Sequence, residues 1–102
     1  PGQTLHVYPY GIGRGRLVRA AQNLGVSVDI VDALDQANAV ITLKNYHRKH
    51  PKPIADAERR RISVYVLRAN TTYQMESCLA DIFGLPVEAG DPVERAIAEA
   101  QE

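Results

Sequence analysis

The chain has 102 residues, of which 45% are hydrophobic and 24% charged, as expected for one small soluble globular domain. No apolar run approaches the roughly 20 residues that cross a bilayer, and no secretory signal is visible, so we expect a cytoplasmic protein that has no contact with a membrane. The single cysteine, Cys78, excludes an internal disulfide and fits a reducing compartment.

The formal net charge is zero, but the charges are distributed unevenly along the chain. Residues 1–68 carry 11 Lys/Arg and 5 Asp/Glu, whereas residues 69–102 carry 1 Arg and 7 Asp/Glu. This asymmetry predicts one basic face and one acidic end. Segregated but merely solvated helix faces are the alternative.

The first third of the chain alternates between strand and helix patterns. Thr4 to Tyr8 is predicted to form a strand that ends at Pro9, because proline cannot donate to a strand ladder. Apolar residues at helical spacing predict a helix from Arg14 to Leu24, which Gly25 ends. A second strand is predicted over Ser27 to Val31.

The third strand is predicted from Ala39 to Leu43, where a continuous apolar run is typical of a strand buried in a parallel sheet. The connection that precedes it, Asp32 to Asn38, is short, because parallel crossovers usually take a dozen residues or so. An antiparallel pairing of strands two and three is therefore the alternative topology.

The second half of the chain continues the alternation after a basic loop over residues 44–52. We predict a helix from Pro53 to about Arg60, a strand from Ile62 to Leu67 and a helix from Thr72 to Phe83 that Gly84 ends. A last helix is predicted from Asp91 onward. Residues 1–86 would then form a compact domain, and residues 87–102 a C-terminal helix linking to a domain outside this chain.

The order of the elements predicts a three-layer α/β sandwich, Rossmann-like or flavodoxin-like, around a small, mostly parallel four-stranded sheet. Right-handed crossovers give the strand order 2-1-3-4. Strands one and three would be neighbours in space but not in sequence. The loops after them, residues 9–15 and 44–52, would meet at the switch point where such sheets bind ligands.

The loop after the first strand contains Gly11-Ile12-Gly13-Arg14-Gly15-Arg16. It resembles a dinucleotide-binding turn, with Asp32 at the place of a ribose-binding acid, but Arg16 stands where that motif has its third glycine. An anion site, in which helix N–H groups and Arg14 or Arg16 face a phosphate, is an intermediate hypothesis. A flexible turn without a ligand is the alternative.

The loop after the third strand combines a high density of cations with aromatic rings, which suits single-stranded nucleic acid. It suits a phosphate or an acidic protein surface equally well, and a solvated loop is the alternative. The candidate contacts to a nucleic acid or phosphate from both loops are Tyr8, Tyr10, Gly11, Arg14, Arg16, Lys44, Asn45, Tyr46, Arg48, Lys49, His50 and Lys52.

No residue combination in the sequence demands catalysis. Cys78 falls inside a predicted helix without an adjacent base, which favours a small buried residue over a nucleophile. His47 and His50 have no third ligand nearby in the sequence, so we expect no metal site.

Three segments of the chain resemble a known family: Val7 to Ile12, Ala39 to Lys44, and Arg48 to Lys52. They are similar to a region of cyanobacterial, plastid and bacterial AAA-type ATPases whose motor is related to the stage III sporulation ATPase. Many members end in a single-stranded nucleic-acid domain named for its Arg-xxx-His motif. The resemblance covers roughly Leu5 to Leu85, and no Arg-xxx-His spacing occurs in this chain.

The resemblance implies a non-catalytic accessory domain that lies between the motor and the nucleic-acid domain of such an ATPase. It would contact a phosphate-bearing ligand, single-stranded nucleic acid in the first place, and would pair with other domains or with a second copy. ATP and Mg²⁺ would be bound by the motor, and this segment would hold no cofactor. Two alternatives are a protein-interaction or oligomerisation module and a small nucleotide- or phosphate-binding domain.

Overall fold

The computed structural model describes residues 3–86, and the helix predicted from Asp91 lies outside them. Within this range, a single sheet has the order β2-β1-β3-β4, and every pairing is parallel. The predicted α/β fold class and strand order are therefore confirmed. The strands are β1 (Thr4–Tyr10), β2 (Ser27–Ile30), β3 (Ala39–Leu43) and β4 (Ser63–Leu67).

The helices cover both faces of the sheet, and two of them have the bounds that the sequence predicts. The basic segment after β3, predicted as a loop, instead forms a short helix that ends at His50 in the left-handed conformation (φ 53°). None of the helices in the described residues is long and apolar enough to cross a membrane. The helices are α1 (Arg14–Leu24), α2 (Lys44–Lys49), α3 (Lys52–Arg59) and α4 (Thr72–Phe83).

The connection between β2 and β3 crosses β1 and contains only a 3-10 turn over Leu34–Gln36. Backbone hydrogen bonds hold both ends of this connection to β1. Val31 N–H donates to the carbonyl of Val7 at 2.9 Å, and Asn38 N–H donates to the carbonyl of His6 at 2.7 Å. The antiparallel alternative is wrong, because β1 lies between β2 and β3.

Strand β1 continues through Pro9, where the sequence predicts its end. The hydrogen-bonding groups of successive strand residues face opposite neighbours, and the Val7 carbonyl faces β2, where it accepts from Val31. Pro9 follows two residues later and faces the same side, beyond the last β2 residue, Ile30. The missing N–H of Pro9 therefore costs the ladder no hydrogen bond.

The two faces of the sheet carry separate hydrophobic clusters. Val40 and Ile41 are both fully buried because successive strand residues point to opposite faces, and both faces are covered. This is the physical reason for the continuous apolar run in β3. The cluster toward α3 consists of Val40, Ile54 and Ala57, and that toward α1 and α4 of Val7, Leu17, Ala20, Ala21, Ile41, Leu67, Met75 and Leu79.

We expect Thr42→Val to lower the free energy of unfolding by about 1–2 kcal/mol in urea titration. Thr42 is fully buried, and its hydroxyl donates to the carbonyl of Tyr10 at 2.8 Å. Valine keeps the volume but removes this bond, so the amide resonance of Gly11 should also shift. Thr42→Ser keeps the bond and should leave that resonance in place. An unshifted Gly11 amide in the valine variant would show that the bond does not hold the end of β1.

Candidate anion-binding site

The loops that follow β1 and β3 meet at the carboxyl edge of the sheet, as the strand order predicts. Tyr10 pairs in register with Thr42, so both strands end side by side. The rings of Tyr10 and Tyr46 then make an edge-to-face contact, with centroids 5.6 Å apart. Tyr46 also covers Gly11: a Cβ built on Gly11 would lie 2.6 Å from Cδ2 of the ring.

The amino terminus of α1 opens at this edge without a side-chain cap. Gly13 is the N-cap residue and offers no acceptor, and no acidic residue lies in the first turn. By contrast, the Thr71 side chain caps α4 by accepting from Gln74 N–H at 3.1 Å. The first N–H groups of α1 and the positive end of its dipole are therefore available to an anion.

The two arginines of this turn differ in their partners. Arg14 donates to Asp32 at 2.7 Å in a surface ion pair, with the two side chains 57% and 83% exposed. Arg16 instead folds back over the loop, where its Nη1 lies 3.1 Å from the Cβ position of Gly13. Within residues 3–86, Arg16 has no ion pair or hydrogen-bonded side-chain partner. Arg16 is therefore the cation that an incoming anion would meet first.

Asn70 joins the site from the connection between β4 and α4. Its Oδ1 accepts from Gly13 N–H at 3.0 Å, across 57 positions of sequence. Asn70 lies just before α4, whose amino terminus is capped by the side chain of Thr71. Only the packing of α4 beside α1 brings the Asn70 side chain to Gly13, so sequence reasoning missed this contact.

His50 and Lys52, both predicted to contact a ligand, are engaged with acids of α3 instead. His50 Nε2 lies 2.7 Å from Glu58 Oε1, and His47 Nε2 lies 3.6 Å from the other oxygen of the same carboxylate. The hydrogen bond from His50 lowers the pKa of Glu58. Lys52 Nζ lies 3.4 Å from Asp56. The Glu58 contacts join α2 and its C-terminal end to α3, whereas the Lys52–Asp56 pair lies within α3.

The remaining predicted contacts divide between surface and core. Tyr8 packs on the α3 side of the sheet against the cluster around Val40, and so does half-buried Tyr10. Four other polar side chains of α2 are exposed and have no hydrogen bond or ion pair within residues 3–86, so their role in binding stays a prediction. They are Lys44, Asn45, Arg48 and Lys49.

An open groove of about 570 Å³ adjoins the site along α1. Arg19, which the sequence analysis did not select, lies one helical turn after Arg16 and faces the same groove. Its spacing of three from Arg16 is the signal that could have identified it. The groove is lined by Gly15, Arg16, Arg19, Asn23 and Thr72.

Cys78 lies within α4 and is only partly accessible. Burial and the Asp81 carboxylate raise the pKa of its thiol to about 12. A reactive cysteine needs the opposite environment, a helix amino terminus or a neighbouring cation that stabilises the thiolate. No cluster of three or more His, Cys, Asp or Glu side chains among residues 3–86 could hold a metal ion.

We expect Gly11→Ala to lower the free energy of unfolding by about 2–3 kcal/mol, measured by thermal or urea denaturation. Gly11 has φ +75°, which strains an alanine, and the added Cβ would collide with the Tyr46 ring. Gly15→Ala is the matched control, because its Cβ would meet nothing within 4 Å and Gly15 lies in a helix. Equal stability of the two variants would contradict the packing of α2 on this loop.

We expect Cys78 to react with a disulfide reagent at pH 8 at least about tenfold more slowly in the native protein than in denaturant. A thiol pKa of about 12 instead of 9.0 leaves the thiolate about a thousandfold rarer, and the higher nucleophilicity of such a thiolate offsets only part of this loss. Cys78→Ser should abolish the signal. Equally fast labelling in both states would show that the thiol is ionised or accessible to the reagent in the native protein.

A family model described as phosphotyrosine protein phosphatase matches residues 5–83, whereas no curated protein and no solved structure gives a significant match. This match overturns the resemblance to an AAA-type ATPase region. The functions that depended on it, a non-catalytic ATPase accessory domain and single-stranded nucleic-acid binding, are wrong with it, whereas a phosphate site remains compatible. The chain belongs to the phosphotyrosine protein phosphatase family.

Proposed function

We infer that this chain binds a phosphate monoester of the phosphotyrosine class at the loop over residues 11–16. One observation carries this function: the uncapped amino terminus of α1 and the unpaired guanidinium of Arg16 lie together at the carboxyl edge of a parallel sheet. Membership of the phosphotyrosine protein phosphatase family supplies the class of ligand.

A phosphate monoester matches the donors of this loop in charge and in shape. It carries close to two negative charges and three acceptor oxygens at neutral pH. Backbone N–H groups at a helix amino terminus point toward such an anion, and a planar guanidinium can bind two of its oxygens at once. Gly13 brings the backbone and Arg16 to the same place, since the guanidinium lies over it.

The aromatic part of a phosphotyrosine side chain also has a surface to pack on. Tyr46 is 38% exposed and lies over Gly11 at the edge of the phosphate loop. Contact between two aromatic rings contributes more favourable free energy than the burial of their area alone. Tyr46 would therefore favour phosphotyrosine over phosphoserine at the same loop.

Phosphoryl transfer requires a nucleophile in addition to the groups that bind the phosphate. Cys78 cannot act as a thiolate here, because its pKa is raised and it lies within α4 rather than in the phosphate loop. Recognition of the phosphate is the step that the first N–H groups of α1 and Arg16 carry, and Cys78 has no part in it.

The test is a fluorescence titration of the chain with a labelled peptide that has phosphotyrosine flanked by alanines. We expect saturable binding that Arg16→Gln weakens about tenfold or more, because a charge-assisted pair of hydrogen bonds is lost. Arg60→Gln is the matched control: it removes one exposed cation, unpaired within residues 3–86, from the end of α3 and should change affinity far less.

Circular dichroism should show that both variants keep the helix content of the parent. The unphosphorylated peptide should bind weakly, and the phosphoserine peptide should fall between the two. Absence of binding to the phosphotyrosine peptide, or an affinity that Arg16→Gln leaves unchanged, would refute the proposed site.

A further inference from the structure

Helix α2 lies over the turn that follows β1, although it is too short to be stable without help from the rest of the fold. It spans six residues, none of them buried, and no side chain caps its amino terminus. A helix of this length does not form on its own in water, so tertiary contacts must hold it. Two contacts do so: the Tyr46 ring packs against Tyr10 and Gly11, and the carboxyl end of α2 meets Glu58 of α3.

Two histidines at the carboxyl end of α2 share the single carboxylate of Glu58. His50 Nε2 lies 2.7 Å from Glu58 Oε1, and His47 Nε2 lies 3.6 Å from Glu58 Oε2. All three side chains are about half exposed, so they exchange protons freely with solvent. His50 also has the left-handed conformation (φ 53°), which costs free energy in a residue with a Cβ. The contact with Glu58 therefore holds a strained helix end in place.

The strength of this contact depends on pH, because histidine changes its charge between about pH 5 and pH 8. At mildly acidic pH two imidazolium rings face one carboxylate, whereas above neutral pH the rings carry no charge. In the ionised state, Coulomb attraction adds to the hydrogen bond. Protonation of His47 and His50 therefore tightens the connection between α2 and α3.

The ionisation of Glu58 sets the acidic limit of this range. The hydrogen bond from His50 holds the pKa of Glu58 below its ordinary value of 4.5. A lowered pKa in the native state means that the ionised carboxylate contributes stability above pH 4.5, and that this stability is lost as the pH falls through the lowered pKa. The contact is therefore strongest from about pH 4.5 to about pH 6.

The other charges around His47, His50 and Glu58 do not reverse this effect. On α3, Lys52 and Arg59 both pair with Asp56. The strands that α2 and α3 contact, β3 and β4, carry no Asp, Glu, His, Lys or Arg. Three further cations of α2 are exposed, so solvent and salt screen their repulsion. They are Lys44, Arg48 and Lys49.

We propose that α2 is a pH-sensitive flap, which the two histidines and Glu58 hold closed over Gly11 at mildly acidic pH and release above neutral pH. When the flap opens, the Tyr46 ring leaves Gly11, because Tyr46 directly precedes His47 in the same short helix. Opening also removes the ring surface that a phosphotyrosine side chain would contact. This last consequence alone rests on the proposed function, whereas the flap itself is a property of the free chain.

The experiment follows the free chain by NMR from about pH 4 to about pH 8. Tyr46 Cδ2 would lie 2.6 Å from a Cβ built on Gly11, so the α protons of Gly11 should give a strong NOE to the Tyr46 ring. We expect this NOE to be strongest near pH 5.5 and to weaken as the histidines lose their protons. The ratio of closed to open flap should fall about twofold to fivefold between pH 5.5 and pH 8, the effect typical of an exposed ion pair.

Glu58→Gln removes the charge that the histidines face but keeps a side chain that accepts a hydrogen bond. It should make the NOE independent of pH and weaker than in the unaltered chain near pH 5.5. His6→Gln is the matched control, because His6 also contacts a carboxylate, that of Asp29 at 3.0 Å. His6 lies four residues before Tyr10 on β1, about 13 Å away, so its loss should leave the titration unchanged.

His50→Gly separates the charge from the conformation of the helix end. Glycine adopts the left-handed conformation without strain, so α2 can still end at this position, while the shorter of the two contacts with Glu58 is lost. We expect unchanged circular dichroism and a smaller change of the NOE with pH.

Three results would each overturn the flap: an NOE that is constant between pH 5.5 and pH 8, a change with pH that survives Glu58→Gln, or a full change in His50→Gly. Failure of the phosphotyrosine peptide to bind would refute the phosphate site and leave the flap unaffected, because the NMR titration contains no ligand. The two proposals therefore fail independently.

Discussion

The contact between the carboxyl ends of β1 and β3 is the constraint on which the rest of this structure depends. The buried hydroxyl of Thr42 holds the carbonyl of Tyr10, and the next residue, Gly11, turns under the ring of Tyr46. Each contact fixes one side of the loop that leads into α1. The Thr42 hydrogen bond and the Tyr46 ring therefore position the amino terminus of α1. The loop itself can remain rich in glycine and open to an anion.

Ion pairs engage only some of the charged side chains among residues 3–86. The carboxylates of Asp32, Asp56 and Glu58 each have a basic partner, and these pairs lie at the surface, where an ion pair contributes little to stability. Arg16 and Arg19 have none within residues 3–86. Lys44, Arg48 and Lys49 of α2 also lack a partner there, so the unpaired state of the two α1 arginines does not by itself mark a binding surface.

The proposed phosphate site and the thiol of Cys78 lie in different parts of the fold. The phosphate loop lies at the carboxyl edge of the sheet, whereas Cys78 lies on α4 beside the larger core cluster. Burial there favours the neutral thiol. Binding of the phosphate and activation of a nucleophile are separate requirements, and at the proposed site backbone N–H groups and arginine would meet the first.

The amino-acid sequence by itself determined the four strands, three of the helices and their order, but not α2, which it predicted as a loop. The apolar run of β3, the bounds of α1 and α4 and the strand order 2-1-3-4 all follow from local patterns and the handedness of crossovers. It also placed Arg16 at the carboxyl edge of the sheet, because the helix that follows a parallel strand begins at that edge. The tertiary structure decided where β1 ends and which side chains meet. Pro9 stays in β1 because β2 ends earlier. His50 forms a hydrogen bond with Glu58, and Asn70 accepts a hydrogen bond from Gly13. These contacts join residues far apart in sequence or on different faces, so only the packing of whole elements brings them together.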